Sequence, residues 1–347
     1  MAECALAQDS SRTQAFTFSA YLETYFTFDF QKPVSGRRPA FLYNHTQHNE
    51  VNLNLGILQA QYEGRGYRAT LGLMVGTYAQ ENLAAEPSLL QFVYAAHAGL
   101  RLHKKADFWL DMGILPSHIG FESARGQDCW TLSRSLLAEN SPYYEAGARL
   151  SYTSPGQRWY LAALYLNGWQ RIRRPPGNQS PAFGTQVSFR AQEGLLLNWS
   201  TFVGNDQPDS LRQWRIFQNF YGQWQLSEKW GLLLGFDWGQ QQRAKGEGRY
   251  HHWWSPVCIV RFQPSPKISL AARGEYYHDP QEVIVRTQNA QGFQTLGYSL
   301  NLDFAPRPNV LWRIEGRGLG SKHRIFGEEN ALQTTNLSLS TSLSVAF

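Results

Sequence analysis

The chain closes on Asn336-Leu337-Ser338-Leu339-Ser340-Thr341-Ser342-Leu343-Ser344-Val345-Ala346-Phe347. Leu337, Leu339, Thr341, Leu343, Val345 and Phe347 share one parity, and Ser338, Ser340, Ser342, Ser344 and Ala346 share the other. A period of two marks an extended strand, because successive side chains leave opposite faces of the backbone. Two settings produce it. One is the edge strand of a soluble sheet with its apolar side inward, the other a membrane strand with its apolar side out. An alternation that runs to a final aromatic, with no polar tail, favours the second.

The rest of the chain repeats the pattern. Phe16, Phe18, Ala20, Leu22, Phe26, Phe28 and Phe30 oppose Thr17, Ser19, Tyr21, Glu23, Tyr25, Thr27 and Asp29. Val51, Leu53, Leu55 and Ile57 alternate with Asn52, Asn54 and Gly56, and Tyr94, Ala96, Ala98 and Leu100 oppose His97, Gly99 and Arg101. The stretch 158–168 is ambiguous, because Leu161 and Ala163 interrupt the contrast. Short connections at 64–66, 103–106, 154–157, 192–194, 227–229, 263–267 and 305–309 alternate with long ones at 31–49, 79–90, 116–142, 170–181, 205–212, 240–252, 279–292 and 318–335. The segments between them number about sixteen, each near the 9–11 residues of a tilted membrane strand. A soluble sandwich has no reason to keep two connection classes in strict alternation, whereas a transmembrane barrel does. The expected fold is all-β: a transmembrane antiparallel barrel with short periplasmic turns, long extracellular loops, and both termini on the short-turn side.

Composition agrees. Charged residues are 17% and aromatics 14%, with 32 basic and 27 acidic residues giving +5. No run of about 18 apolar residues occurs, which excludes membrane helices. A mean hydropathy of −0.43 suits a barrel whose lumen and loops are polar. About sixteen strands enclose an interior too wide for side chains to fill, so the apolar parity belongs outside. Closure is forced, since an unpaired edge in hydrocarbon costs several kcal/mol per group. Phe16, Phe18, Phe28, Phe30, Trp230, Trp238, Trp254 and Phe347 lie near strand ends, where an aromatic girdle sits. One barrel domain is expected over 15–347. Residues 1–14, with Ala5-Leu6-Ala7 before Gln8, read as the remnant of an export signal or a flexible tail. Cys4, Cys129 and Cys258 are odd in number and lack metal spacing. The basic excess is spread along the chain, without a nucleic-acid footprint.

Several blocks resemble a known family. Asp111-Met-Gly-Ile-Leu-Pro-Ser-His-Ile-Gly-Phe-Glu-Ser123 is similar to the Gly-x-x-Pro-x-x-x-Gly-x-Glu signature of the beta-barrel porin family of OmpL-like type, outer-membrane porins common in Bacteroidota. Ser19–Tyr25, Arg134–Leu137, Ser141–Gly147, Asn167–Ile172, Gly235–Gly239 and Arg273–Asp279 resemble further blocks, in order, across nearly the whole chain. The resemblance implies a pore in the bacterial outer membrane and supplies no substrate.

The polar parity then names the candidate pore lining: Glu23, Asp29, Arg68, Arg101, Asp111, Glu145, Arg149, Arg190, Asp237, Arg261, Arg273, Glu275, Asp303, Arg313, Glu315 and Arg317. Rings of side-chain charge set ion selectivity; arginines and acids are equal here, eight of each, in a chain of net charge +5, and a mild anion preference is expected. The competing view is that these charges pair across strands and only hold the wall. The longest connection, 116–142, carries Pro116, Gly120 and Gly126 for sharp turns and Ile119, Phe121 and Trp130 for apolar grip. It is expected to fold into the lumen, with Glu122, Arg125 and Arg134 at a constriction; the alternative is an extracellular lid.

Other motifs are weak. His45-x-x-His48 and His251-His252 fall in expected loops without neighbouring ligands, so neither metal nor cofactor is expected. Tyr277-His278-Asp279 contains a His–Asp pair that a lipid hydrolase would need beside a serine. Asn178-Gln179-Ser180 matches a glycosylation sequon, a match common by chance. Three classes remain: a passive pore for small hydrophilic solutes or ions, a closed barrel acting as a scaffold or surface-interaction protein, and a lipid-modifying enzyme. The partners expected are outer-membrane lipid, the permeating solutes and a second copy of the chain.

Overall fold

The computed structural model describes residues 15–192, 194–287, 291–327 and 331–347, and within them the alternation becomes sixteen strands. They are β1 (Ala15–Asp29), β2 (Val51–Glu63), β3 (Tyr67–Val75), β4 (Val93–Arg101), β5 (Asp107–Pro116), β6 (Tyr144–Thr153), β7 (Trp159–Leu166) and β8 (Ala182–Gln192). β9 (Leu195–Gly204), β10 (Arg215–Gln225), β11 (Trp230–Gln242), β12 (Tyr250–Ser265), β13 (Ile268–Asp279), β14 (Phe293–Arg307), β15 (Val310–Ser321) and β16 (Thr335–Ala346) follow. Each pairs antiparallel with its sequence neighbours, and β1 closes on β16 from Tyr21↔Ala346 to Asp29↔Ser338. The final strand therefore removes the last free edge. The expected remnant at 1–14 and Cys4 lie outside the described residues; Cys129 and Cys258 are free thiols.

Short hairpins cluster at one end of the barrel and long connections at the other. One connection is shorter than expected: β11 and β12 run on, leaving 243–249, so His251 and His252 sit on a strand and not in a loop. The outer face is apolar, with Leu71, Leu100, Met112, Leu270, Leu300 and Leu339 exposed, while Glu23, Asp111, Arg273, Glu315 and Ser340 are buried on the inner face. This is a soluble protein turned inside out, and only lipid satisfies such an exterior. Several polar side chains that face outward are paired: Thr185 with Thr201 (2.7 Å), Trp199 Nε1 donating to Gln218 (2.7 Å), and Trp312 Nε1 donating to Thr341 (2.9 Å). No helix among the described residues is long and apolar enough to cross a membrane.

Two β-bulges overturn the expected faces. In β2 the register jumps from Glu23↔Leu55 to Thr24↔Leu53, leaving Asn54 as the extra residue. One extra residue exchanges the faces beyond it, so Leu55 and Ile57 are buried in the barrel while Val51 and Leu58 face out. In β4 the register jumps between Gly72↔Ala95 and Leu73↔Val93. Tyr94 is the bulged residue, and it lies over inward-facing Gly72 rather than on the lipid side with Ala96 and Ala98. The ambiguity of 158–168 has a related cause. Ala162, Leu164 and Leu166 of β7 are buried on the inside, and Leu161 and Tyr165 are exposed outside, so both parities are apolar. The lumen is thus not uniformly polar: Leu55, Ile57, Met74 and Tyr78 form one buried apolar cluster in it, and Leu233, Val257, Ile259 and Trp130 another.

The central residue of β14, Leu300, tests the lipid assignment. Leu300→Arg is expected to lower stability in lipid vesicles by about 2–4 kcal/mol, the cost of a cationic side chain near the bilayer midplane. Urea titration of vesicle-inserted protein measures it, and an unchanged midpoint would contradict an outward Leu300.

Candidate functional site

The connection 117–143 enters the barrel and crosses it. At its start His118 Nδ1 donates to the Glu145 carboxylate (2.9 Å) and Nε2 donates to the Thr201 carbonyl (2.8 Å). Both ring nitrogens meet acceptors only, which requires imidazolium. Burial pulls the His118 pKa down, but Glu145 and the Thr201 carbonyl outweigh it and the net shift is upward. Gly120 N donates to Asn219 Oδ1 (3.1 Å), and Phe121 packs on Tyr221 and against Gly235, where a Cβ would collide with its ring. Trp130 lies under Arg261, 4.6 Å from guanidinium carbon to ring centre.

Beyond Trp130 the loop is fastened to β13–β15. Arg313 pairs with Asp303 (2.7 Å) and donates to the carbonyls of Gly126, Cys129 and Thr131. Arg273 donates to the Ser133 carbonyl (2.7 Å) and to Ser133 Oγ (2.8 Å), and Glu315 accepts from Ser133 N (2.5 Å) and Oγ (2.9 Å). Glu275 accepts from Leu136 N (2.5 Å) and pairs with Arg317 (2.8 Å). A one-turn helix, α1 (Leu136–Glu139), follows, with Ser135 Oγ accepting from Ala138 N at its start. Glu139 accepts from Tyr43 N (2.8 Å) and Asn44 Nδ2 (3.2 Å), which ties the loop to the connection 30–50. Burial pushes the Glu139 carboxyl up to about 7 against the pull of those donors and of Arg317.

The expected constriction residues take separate places. Arg134 is fully buried and donates to the carbonyls of Ser123, Ala124 and Leu132, bracing the loop from within. Glu122 is buried and accepts from Ser135 N (3.0 Å). Arg125 is half-exposed, over the Tyr21 ring and 3.6 Å from Asp128.

The expected pore-lining residues divide into two groups. Arg273, Glu275, Asp303, Arg313, Glu315 and Arg317 are buried beneath the loop. Glu23 is also covered, accepting from Asn54 Nδ2 (2.9 Å) with His45 Nε2 at 3.4 Å, and Asp237 accepts from Asn219 (2.6 Å). Asp29 accepts from Asn336 Nδ2 (2.9 Å). On the other side, Arg68 and Arg149 converge on Asp111 at 2.6 and 3.3 Å, and Arg68 lies over Trp109. There the inward positions of β3–β6 are mixed: Arg68, Thr70, His97, Gly113, Gly147 and Arg149 are half-open, while Gly72, Gly99, Trp109, Asp111 and Glu145 are buried; those of β13–β15 are almost all buried. Arg101 is half-buried and Arg190 exposed, both towards the short-turn end. β3–β6 are thus a less covered part of the inner wall than β13–β15.

Sequence reasoning missed Tyr94, Tyr78 and His118 as lumenal residues. Tyr94 was hidden by a bulge and Tyr78 by the short helix Thr77–Asn82. His278 faces outward, stacked on Trp254, while Asp279 faces inward and accepts from the amides of Val283, Ile284 and Val285. Alternation thus places the suspected His–Asp pair on opposite faces. The Asn178 amide is buried and donates to the Asn205 carbonyl (2.7 Å), so the sequon asparagine is structural.

A closed sixteen-strand barrel with an apolar exterior, a charged lumen and an infolded loop defines an outer-membrane pore architecture. Comparisons with known proteins give the family. The description "Putative beta-barrel porin-2, OmpL-like" matches residues 15–347, and the chain belongs to that family: it is a porin of the bacterial outer membrane, a passive channel. A comparison with curated proteins finds no match. Among solved structures the fold is shared with an anion-selective porin from Comamonas acidovorans (TM-score 0.64, 8% identity, 96% of this chain and 100% of that one). It is also shared with OmpT of Vibrio cholerae expressed in the outer membrane (TM-score 0.62, 8% identity, 97% and 99%). A mutant of Rh. blastica porin aligns at TM-score 0.55 and 9% identity over 96% and 100% of the two chains.

Two outcomes check the loop's attachment. The Cys129 thiol is buried, and burial pushes it up to about 11. In a background of Cys4→Ser and Cys258→Ser, maleimide labelling of Cys129 is expected to be slow. Arg313→Ala should speed it markedly, because removing one partner of a buried pair costs about 3–5 kcal/mol; equal rates would contradict the attachment. The His118 clamp has a pH signature. Its folded pKa is raised, so its contribution is complete below the unfolded value of about 6.5 and is lost as pH rises through the folded value. Hydrogen exchange at 118–121, corrected for intrinsic rates, should accelerate above neutral pH, and His118→Gln should abolish that dependence.

Proposed function

We propose that the channel passes small hydrophilic solutes and ions along the β3–β6 wall with a preference for anions. One observation carries this reading. Every acid among the expected lining residues is buried, while Arg68, Arg101, Arg149 and Arg261 are half-open and Arg190 is exposed. Buried and paired charges contribute little net field to a permeating ion; open ones set it. Asp111 is outnumbered by the two arginines that hold it, and the open acid Asp128 stands beside Arg125. The loop 117–143 forms the constriction. In this reading Arg125 is its charged edge, and Arg134 and Glu122 keep its shape. Outer-membrane lipid covers the exposed leucines of the exterior, and residues 15–347 act as one barrel domain. The buried pairs of β13–β15 favour a structural role for that half of the wall, so the competing view of wall-holding charges applies there and not to β3–β6.

Reversal potential across a planar bilayer under a KCl gradient tests the preference. The wild-type value should lie on the anion side, and Arg101→Glu with Arg190→Glu should move it towards cations. Neither arginine is in an ion pair of the described structure, so the double variant keeps the barrel. A cation-selective wild type would contradict the charge assignment and leave the pore standing.

A further inference from the structure

Between the crossing loop and the tops of β3–β6 lies a cavity of about 240 Å³. Tyr78, Tyr94, Tyr143 and Phe121 supply aromatic walls, and Glu122 is its carboxylate. They reach the cavity by three local causes. Tyr94 is turned inward by the β4 bulge, Tyr78 is carried by the helix Thr77–Asn82, and the other three belong to the loop.

Two polar atoms of the cavity's lining are unmet. Glu122 is nine-tenths buried, and its Oε2 accepts from Ser135 N and Oγ, but its Oε1 has no partner. Tyr143 OH is also buried without a partner. Buried polar atoms are nearly always hydrogen-bonded, and each exception asks for an explanation. An apolar-walled concavity with a few convergent polar groups is the general form of a small-molecule site.

The chemistry selects the ligand. Glu122 Oε1 needs a donor, and Tyr143 OH can donate or accept. The aromatic faces need an apolar surface to pack on. A carboxylate in the wall opposes an anion, and Arg134 behind it with Arg125 beside Tyr94 opposes a cation. The volume falls below the ~300–1,000 Å³ typical of sites for drug-sized ligands, so one ring fits. We propose that this cavity is a transit subsite for a neutral single-ring polyol of monosaccharide size, with ring C–H faces on the tyrosines and hydroxyls donating to Glu122. Its lining residues Met74, Tyr94 and Pro116 belong to β3, β4 and β5, and β3 and β5 carry Arg68 and Asp111 nearer the short-turn end. The proposal rests on the porin reading and adds a solute class that the charge preference does not supply.

The test is ion current through the full chain in a planar bilayer, with D-glucose added on the long-loop side. The expected result is a saturable reduction of current in the wild type. Tyr94→Ala and Glu122→Gln should each weaken the block about five- to tenfold, read against each variant's own unblocked current, the scale of one aromatic or hydrogen-bonding contact. Tyr94→Phe, which keeps the ring, should retain the block. Sucrose, with two rings, and benzoate, with a charge, should show no saturable block. The proposal is overturned if wild-type current falls with glucose only as solution viscosity rises, or if both weakening variants block like wild type. A chain that inserts and never conducts would overturn the porin reading and this inference together, which separates that failure from a conducting channel that ignores glucose.

Discussion

The whole architecture depends on one constraint: in hydrocarbon every backbone N–H and C=O must be paired within the protein. A sheet satisfies this only when closed, and here closure is the β1–β16 ladder. Once the sheet is shut, the period-two pattern sorts residues by solvent, lipid outside and water inside. Sixteen strands make an interior wider than their own side chains fill. The loop 117–143 takes up that excess. It meets the β13–β15 wall through Arg273, Arg313 and Glu315, each with several partners at hydrogen-bonding distance. Buried charges need this completeness, because a charge left without its partner costs more than the pair contributes.

The asymmetry of the lumen follows. One part of the wall uses its charges to hold the loop, and β3–β6 leave Arg68, Arg101 and Arg149 half-open. Where the loop meets apolar wall, Trp130 and Phe121 pack on Leu233, Val257 and Ile259, so a water-facing surface becomes a small protein core. Where the loop stands away, Arg68 and Arg149 are half-open over the buried Asp111 that they pair with. The same set of side chains, indistinguishable by parity, thus divides into buried braces and half-open arginines according to what the loop covers.

Much of this was legible in the sequence. Strand number, closure, the two connection classes and the inward position of the charged parity all follow from alternation and length. The infolding of 117–143 was legible from its length and its aromatic content. What escaped were departures from period two. Asn54 and Tyr94 are bulged residues, and nothing in Val-Asn-Leu-Asn-Leu or Val-Tyr-Ala-Ala marks the extra residue, because a bulge is fixed by pairing with the neighbouring strand. The division of arginines into open and buried also escaped, since it depends on contacts between residues far apart in the chain, such as Arg313 with Gly126. Apolar residues at both parities of β7 signalled a covered inner face, although the covering element could not be named from them.

The central claim is that the loop fills one side of the lumen and leaves a conducting passage on the other. Single-channel conductance of the wild type and of a variant in which 119–141 is replaced by a short glycine-serine linker tests it most directly. The account predicts steady openings in the wild type and a clearly larger conductance in the variant. A wild type that inserts without conducting, or two equal conductances, would contradict it.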